Sequence, residues 1–485
     1  MRVVKALYQT ALLPEHRDNP LIEALPAKLP DEDVIDGLRC YPDCSECERE
    51  KAAFERVEYL SRLKDLRQPQ LVHLDVFRAV ERALKEGYSA KNPHSPTMMN
   101  YLHYSLDDRP QIEPRTGFFK PKGSGITVIG ESGVGKTCML EQVLGSFPDV
   151  IVHEESSTGA LPLWQVVWLK VDCPDDSSVK GLCHRILEEL DRKLGLERTT
   201  PASTIALLIS QIEAKIKSSF LGILVIDEMQ NLNLAKAGGA DRLLGFLHNL
   251  VNNLGIPLLF CANPPFDELL SKSLKAARRA ESGGYFNVNL LGQRNGEWEA
   301  FVEELWDLQW TNVVTPLTEA LNNKLYDLSV GNMDLAVRIF RSAQQVVIGS
   351  LDERLTVEAL ETGASIAIRA SQNARDELAL EQKINLLKRK KPKVKAELGS
   401  DTKANLSKKT AVAANKGKLV QIPGDLSRVQ HPEFADMLTA LLHTDDLYER
   451  IPDPDLIQRA SEEDDPLEPL RKAGVFCEDP LKAFA

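Results

Sequence analysis

No stretch of the chain approaches the ~20 consecutive apolar residues that a membrane-spanning helix needs. The opening residues, MRVVKALYQTALLPEHRDNP, contain no apolar block of the kind found in a secretory signal. Cysteine is sparse, 8 in 485 residues, which excludes a small disulfide-stapled scaffold. Repeats of solenoid length are absent as well. These absences lead to the expectation of a cytoplasmic protein whose thiols are mostly reduced. What is present is ordinary for a globular chain, with 43% hydrophobic and 27% charged residues. At roughly 150 residues per domain, the length leaves room for about two to four domains.

Basic residues are also in short supply. The 59 Lys+Arg are outnumbered by 71 Asp+Glu, for a net charge of -12, so a general polyanion binder is not expected. The charge is uneven, however. Residues 386–419 hold eleven Lys/Arg against Glu397 and Asp401, and residues 445–466 hold nine Asp/Glu against Arg450 and Arg459. Such blocks are either separate contact surfaces or solvated tails.

The first ~115 residues mix short helical patterns with Pro-rich breaks. Val72 to Lys85 reads as an amphipathic helix, with Leu74, Phe77, Val80 and Leu84 near one face. From about Gly125, apolar strands and helices alternate. Strands are expected at Ile126–Gly130, Gln165–Asp172, Leu221–Asp227, Ile256–Ala262 and Tyr285–Leu290. Helices are expected at Lys136–Leu144, Val179–Leu194, Thr204–Ile216 (N-cap Ser203) and Asp241–Asn253. This alternation predicts an α/β fold, a parallel sheet covered by helices on both faces. After Gly292 the strand patterns stop, and Glu297–Leu308, Leu317–Leu328, Met333–Val346 and Val357–Ala370 read as helices of a second, helical domain. A Lys-rich arm, a short helix over Glu433–Leu442, an acidic tail and a last apolar element, Leu470–Phe484, close the chain.

Gly130-Glu131-Ser132-Gly133-Val134-Gly135-Lys136-Thr137 fits the phosphate-binding P-loop in full, between a strand and a helix. Its glycines let backbone N–H groups curl around phosphates at a helix N-terminus, and Cys138 follows in the first helical turn. Lys136 reaches the β- and γ-phosphates of ATP, and the Thr137 hydroxyl is placed for Mg²⁺. The companion motif is Ile223-Leu224-Val225-Ile226-Asp227-Glu228, an apolar strand ending in two carboxylates. Ligands of open α/β sheets bind at that edge. There Asp227 holds Mg²⁺ and Glu228 orients and deprotonates the attacking water. The intervening strand and the Asp-Glu pair favour ATPases with a catalytic glutamate over GTPases.

Asn263, after the next strand in CANPP, either contacts the γ-phosphate or the water, or shapes a turn before proline. Arg278 and Arg279 in LKAARRAESGG either reach a neighbouring subunit's nucleotide or form a solvated turn. Arg338 either closes a lid onto ATP or decorates a helix. Cys40, Cys44 and Cys47, spaced C-x3-C-x2-C, are either free thiols or metal ligands completed by a residue such as His16 or His73.

In this order, the P-loop, ILVIDEMQNL, CANPP, the Arg pair and the helical lid resemble the AAA+ ATPases. HRDNPLIEALP, GYSAKNP, LKAARRAESGG, SVGNMDLAVRIF and KAGVFCEDPLKAF are similar to TnsC, the ATP-dependent regulator of cut-and-paste DNA transposons, and to its relatives such as TniB. The resemblance covers nearly the whole chain except the basic arm. It implies ATP-dependent rings or filaments of this chain on double-stranded DNA. Those assemblies would connect a TniQ/TnsD-type target selector to a TnsB-type transposase, with or without a TnsA-type nuclease. The family's lid arginine falls three residues after a lid glycine; here that glycine is Gly331 and the position is Asp334, with Arg338 a nearby substitute. The family's DNA contacts would fall on Lys180, then on Thr199 and Thr200.

The expected organisation is an N-terminal extension for partner or DNA contact (1–115), an AAA+ ATPase domain (116–291), a helical lid (292–375), a basic arm (376–430), and an acidic tail ending in a partner-docking segment (431–485). Two other readings compete. One is a different DNA-acting AAA+ protein, such as a replication initiator or helicase loader. The other is a nucleotide-dependent scaffold without a DNA role.

Overall fold

The computed structural model describes residues 1–94, 123–154, 162–174, 178–231, 250, 255–264, 281–293, 296–369 and 375–376. Residues 1–393 form one compact unit and 394–485 a second, which lies outside the described residues. The basic arm beyond Asp376, the acidic tail and the C-terminal apolar element lie outside the described residues, as does the helix expected at Asp241–Asn253 apart from Leu250.

The chain opens with β1 (Val3–Lys5), the short helices α1 (Pro20–Glu23), α2 (Asp31–Leu38), α3 (Glu46–Arg49) and α4 (Ala53–Tyr59), and a 3-10 turn over Leu60–Asp65. The long α5 (Leu71–Ser89) comes after it. Next are β2 (Gly125–Gly130), α6 (Lys136–Gly145), β3 (Val150–His153), β4 (Leu163–Val166), β5 (Trp168–Asp172), α7 (Val179–Leu194) and α8 (Ile205–Ser218). Strands β6 (Ile223–Asp227), β7 (Leu258–Ala262) and β8 (Gly284–Val288) complete the strands, and α9 (Glu297–Asp307), α10 (Glu319–Ser329), α11 (Met333–Val347) and α12 (Val357–Ala367) the helices. Among the described residues no helix is long and apolar enough to cross a membrane.

The central sheet runs β5-β6-β7-β2-β8, with every described pairing parallel. β2, β6 and β7 are buried along their whole length, as continuous apolar strands covered on both faces must be. One face packs on α7 and α8 through Leu182, Ile186, Leu190, Leu208 and Ile212. The other packs on α5 and α6 through Val76, Val80, Leu84, Leu140 and Val143. α5 therefore helps build the ATPase core although it precedes the P-loop by some forty residues. Its Gly87 passes so close to Pro257 that an added Cβ would lie 2.8 Å from the proline ring.

The strand expected at Gln165–Asp172 is two strands in two sheets. β4 pairs antiparallel with β3 in a small sheet ordered β1-β3-β4, whereas β5 pairs parallel with β6. The chain changes partners at Val167, whose N–H donates to Asp149 and whose carbonyl accepts from Ile223. Buried Gln165 explains the division: it bonds the His153 ring at 2.9 Å and donates to the Leu21 carbonyl at 2.8 Å, so it belongs to a polar seam. An uninterrupted apolar pattern cannot report such a switch. The N-cap of α8 is Thr204, whose hydroxyl accepts from Leu207 N–H, in place of Ser203.

The helices after β8 enclose a separate core around Trp298, Trp310 and Phe340. Leu60, Leu63 and Leu66 from the N-terminal segment enter this core. Arg56 of α4 makes a two-pronged bond with Glu353 before α12, one arm at 2.7 Å. The N-terminal segment thus packs on the lid through α4 and on the sheet through α5.

Candidate functional site

The register of the central sheet sets the site. Asp172 pairs with Asp227, and Ile129 with Ala262, so Gly130, Asp172, Asp227 and Asn263 meet at one edge. Gly133 (φ +81°) and Gly135 (φ +95°) take left-handed conformations that open the loop into a cradle of N–H groups before α6. Val134 is buried under the loop, and Lys136 begins the helix with its ammonium donating to the carbonyls of Gly130 (2.7 Å) and Glu131 (2.8 Å). Burial pulls the Lys136 ammonium below the usual lysine value, only partly offset by the nearby acids.

The Thr137 hydroxyl donates to Asp227 Oδ2 at 3.3 Å, while Asp227 Oδ1 accepts from Glu228 N–H at 2.9 Å. A hydroxyl and a buried carboxylate this close form the oxygen donor set that magnesium takes, so the residues fit that ion. Lys170, on β5, also lies 3.1 Å from Asp227 Oδ2 and 2.7 Å from Asp172 Oδ1. Burial opposes the Lys170 charge, yet the two carboxylates hold it above the ordinary lysine value. Glu228 sits at φ +57°, and the Gln230 amide donates to its carboxylate. The Gln230 oxygen in turn accepts from Asn263 N–H at 3.1 Å, which ties the ends of β6 and β7 together.

The lid meets the loop directly. Asn332 caps α11 by accepting from Leu335 N–H, and its amide donates to the Ser132 carbonyl at 3.0 Å. Asp334 N–H reaches the Gly133 carbonyl at 3.3 Å. Beside this junction lies a cavity of about 190 Å³ lined by Gly133, Gly135, Cys138, Met333 and Arg338, with Leu63, Leu66, Arg67 and His73 on its N-terminal side. Arg338 is engaged already, donating to the Ala367 carbonyl and lying 3.4 Å from Asp334.

Other candidates are dispersed. Lys180 is exposed at the start of α7. Thr199 lies beyond the other end of that helix, with its N–H and hydroxyl both donating to Asp191, at 2.7 and 3.1 Å; Thr200 beside it is exposed. From Lys180 to Asp191 the helix rises about 16 Å, so these positions do not form one patch within a subunit. Arg278 and Arg279 lie outside the described residues. The cysteine cluster does not assemble a metal centre: Cys44 donates to the Gln309 carbonyl at 3.2 Å, and no group of three metal-ligating side chains occurs among the described residues. His73 instead faces the cavity beside the P-loop. Asn332 and Gln230 fall within SVGNMDLAVRIF and ILVIDEMQNL, but neither they nor Lys170 and His73 were marked individually as parts of this site. Only Asn332 gave a local signal, as a helix N-cap.

Residues 122–270 match the family model of an AAA domain. This part of the chain has the AAA+ P-loop fold. Searched against proteins of curated function, the chain finds no match. Among solved structures, similarity is slight. The ORC2 protein of Aeropyrum pernix in its ADPNP-ADP complexes is 15% identical with TM-score 0.36, over 52% of this chain and 64% of that one. The Walker-type ATPase paby2304 of Pyrococcus abyssi is 12% identical with TM-score 0.35, over 74% and 87%. Cdc6p of Pyrobaculum aerophilum is 12% identical with TM-score 0.35, over 50% and 62%. The chain spans less than two thirds of the length of ORC2 and of Cdc6p. TM-scores this low bear on neither activity nor partners. The AAA domain, with its P-loop and the acids of β6 at one sheet edge, is an ATPase-type nucleotide site.

Proposed function

We propose that this chain is a TnsC-type regulator of DNA transposition, an Mg²⁺-dependent ATPase whose nucleotide state controls its assembly on double-stranded DNA. The ATPase half rests on one observation: Thr137, Asp227 and Glu228 converge beside the P-loop. In this reading the loop N–H groups and Lys136 hold the phosphates, and the cavity beside Cys138 receives the base. Thr137 and Asp227 hold Mg²⁺, which when bound neutralises charge on the phosphates. Glu228 takes the proton of the attacking water. Asn263, at the end of the neighbouring strand, contacts the γ-phosphate or that water. Arg278 and Arg279 complete the site of a neighbouring subunit, so hydrolysis depends on assembly.

The transposition half rests on the resemblance of several segments to TnsC. Two of them are in contact here: the Asn19 amide donates to the Tyr88 carbonyl at 2.9 Å, and the Asn92 amide to the Asp18 carbonyl at 3.0 Å. HRDNPLIEALP and GYSAKNP are therefore parts of one packed unit, which gives a physical reason for their occurring together. Lys180, Thr199 and Thr200 are the proposed DNA contacts, reading the phosphate backbone in place of sequence. The boundaries expected at 115, 291, 375 and 430 divide partner-contacting extension, ATPase, lid, arm and tail. A TniQ/TnsD-type selector and a TnsB-type transposase, with or without a TnsA-type nuclease, are the proposed partners, and Leu470–Phe484 is the proposed docking segment.

The test is to incubate the protein with a random-sequence duplex and ATP, a non-hydrolysable analogue or ADP, and to image the particles by electron microscopy. Rings or filaments that need ATP or the analogue, and that Lys136→Ala abolishes, are the expected result. No DNA binding in any nucleotide state would turn the reading toward a scaffold. Assembly confined to one duplex sequence would favour an initiator. Deleting 470–484 is expected to abolish transposase binding while leaving ATP hydrolysis intact.

A further inference from the structure

A lysine stands among the acids of the nucleotide edge, and the proposed function gives it no part. Lys170 shares one face of β5 with Trp168 and Asp172, while Leu169 and Val171 enter the core on the other. The register sets Asp172 beside Asp227 of β6. The Lys170 ammonium spans both carboxylates, 2.7 Å from Asp172 Oδ1 and 3.1 Å from Asp227 Oδ2. Asp227 Oδ2 is also the oxygen that accepts from the Thr137 hydroxyl, at 3.3 Å. Oδ1 accepts from Glu228 N–H at 2.9 Å. The lysine cation thus rests on the same oxygen that the proposed magnesium site needs. The Lys136 ammonium, by contrast, is held by the carbonyls of Gly130 and Glu131.

We infer that Lys170 is the resident counter-ion of Asp227, which keeps a bare divalent cation off that carboxylate and admits one only together with a nucleotide. The inference rests on the proposed nucleotide role and adds a positioning residue to it. An ammonium at ion-pair distance neutralises Asp227, and a divalent ion approaching the same oxygen meets its repulsion. The Asp227 side chain is 4% exposed, so solvent screens that repulsion weakly. Burial opposes the Lys170 charge and the two carboxylates more than offset it, so the ammonium is charged at pH 7. The phosphates of ATP carry several negative charges and reverse the balance, because they attract a metal ion into the site. Lys170 then keeps a partner. The Asp172 side chain, 54% exposed, already accepts its ammonium, so release from Asp227 does not leave the lysine unpaired.

Mn²⁺, which suits the same oxygen donors, is the probe. It is titrated into the nucleotide-free full chain and the unbound ion is read by electron paramagnetic resonance. Lys170→Met, which keeps the length of the side chain and removes its charge, is expected to bind Mn²⁺ roughly tenfold more tightly than the wild type. Lys170→Arg keeps the charge and is expected to stay at the wild-type level. The Met variant should melt lower in metal-free buffer, because Asp227 is left buried and unpaired, and Mn²⁺ alone should restore it. Wild-type melting should not respond to Mn²⁺ alone. In Asp172→Asn, Lys170 loses its second partner, so the gain that Mn²⁺ gives to binding of a non-hydrolysable ATP analogue should shrink several-fold. A Met variant that folds, binds the analogue with Mn²⁺ and takes up bare Mn²⁺ no better than the wild type would overturn the inference. Equal gains in the Met and Arg variants would overturn it too, by making the effect one of shape. Should the Met variant fail to fold, an undiminished Mn²⁺ gain in Asp172→Asn would overturn it. Failure of the wild-type chain to bind the analogue, with or without Mn²⁺, would overturn the nucleotide reading and this inference with it.

Discussion

One lysine and one acid are expected to separate binding from chemistry at the residue scale. Lys136→Ala removes the ammonium proposed to contact the phosphates and is expected to abolish nucleotide binding. Glu228→Gln keeps the shape of the site and removes the proposed base, so analogue binding should persist while hydrolysis falls ~10²- to 10⁴-fold in a phosphate-release assay. Glycines give a second contrast. Gly331 combines φ +73° with a position where an added Cβ would collide with the Leu291 carbonyl. Gly331→Ala should therefore destabilise the protein by about 2 kcal/mol or more. Gly37, inside α2, has nothing within 4 Å of an added Cβ, and Gly37→Ala should stabilise by about 0.5–1 kcal/mol. Denaturant melts of the two variants should move in opposite directions. At this scale the P-loop and the Asp-Glu pair were legible, because phosphate chemistry dictates residue types at fixed spacing. Lys170, Gln230 and His73 were not, because each is brought to the site by packing against residues distant in sequence.

The telling contacts between elements are those that join the N-terminal segment, the lid and the phosphate loop. Breaking a buried ion pair leaves an uncompensated charge, so Glu353→Leu should cost about 3–5 kcal/mol by orphaning Arg56. Mainly through its bonds from Arg56, Glu353 is held down at about 2, against an ordinary 4.5. A depressed carboxylate stabilises the fold above its unfolded value, and that stability is lost as pH falls from about 4.5 toward 2. His73 behaves differently. The unfolded imidazole takes a proton near pH 6.5 while the folded one, pushed down to about 4, does not, so stability already falls between pH 6.5 and 4. An acid titration followed by circular dichroism should show both windows, and His73→Leu should remove the first. Helix limits after Gly292 track the amphipathic pattern closely, since each helix buries one face in the lid core. The division of β4 from β5 was hidden, because two apolar strands in succession read as one.

In the proposed function, nucleotide and DNA act on the whole molecule. A ligand that binds only the folded chain adds about 2.7 kcal/mol at one hundred times its Kd, so saturating ATP analogue should raise the melting temperature and Lys136→Ala should erase the shift. If the assembled protein holds DNA through phosphates, the affinity should fall linearly in log–log form with salt, at a slope of about 0.9 per phosphate neutralised. Lys180→Ala should reduce that slope without changing sequence preference, and a slope unaltered by the substitution would remove Lys180 from the interface. A net charge of -12 is compatible with this, because a thin basic lining suffices when many subunits repeat it.

The sequence by itself determined the α/β class, the strand that ends in the P-loop, the strand that ends in Asp227 and Glu228, and the helical character of the segment after Gly292. Those features arise from local periodicity and from chemistry that tolerates few residue types. Tertiary structure alone decided that α5 covers the central sheet, that the N-terminal segment also enters the lid core, and that Asn332 and His73 stand against the phosphate loop. Each depends on residues tens to hundreds of positions apart meeting in space, and long-range packing leaves no periodic trace along the chain.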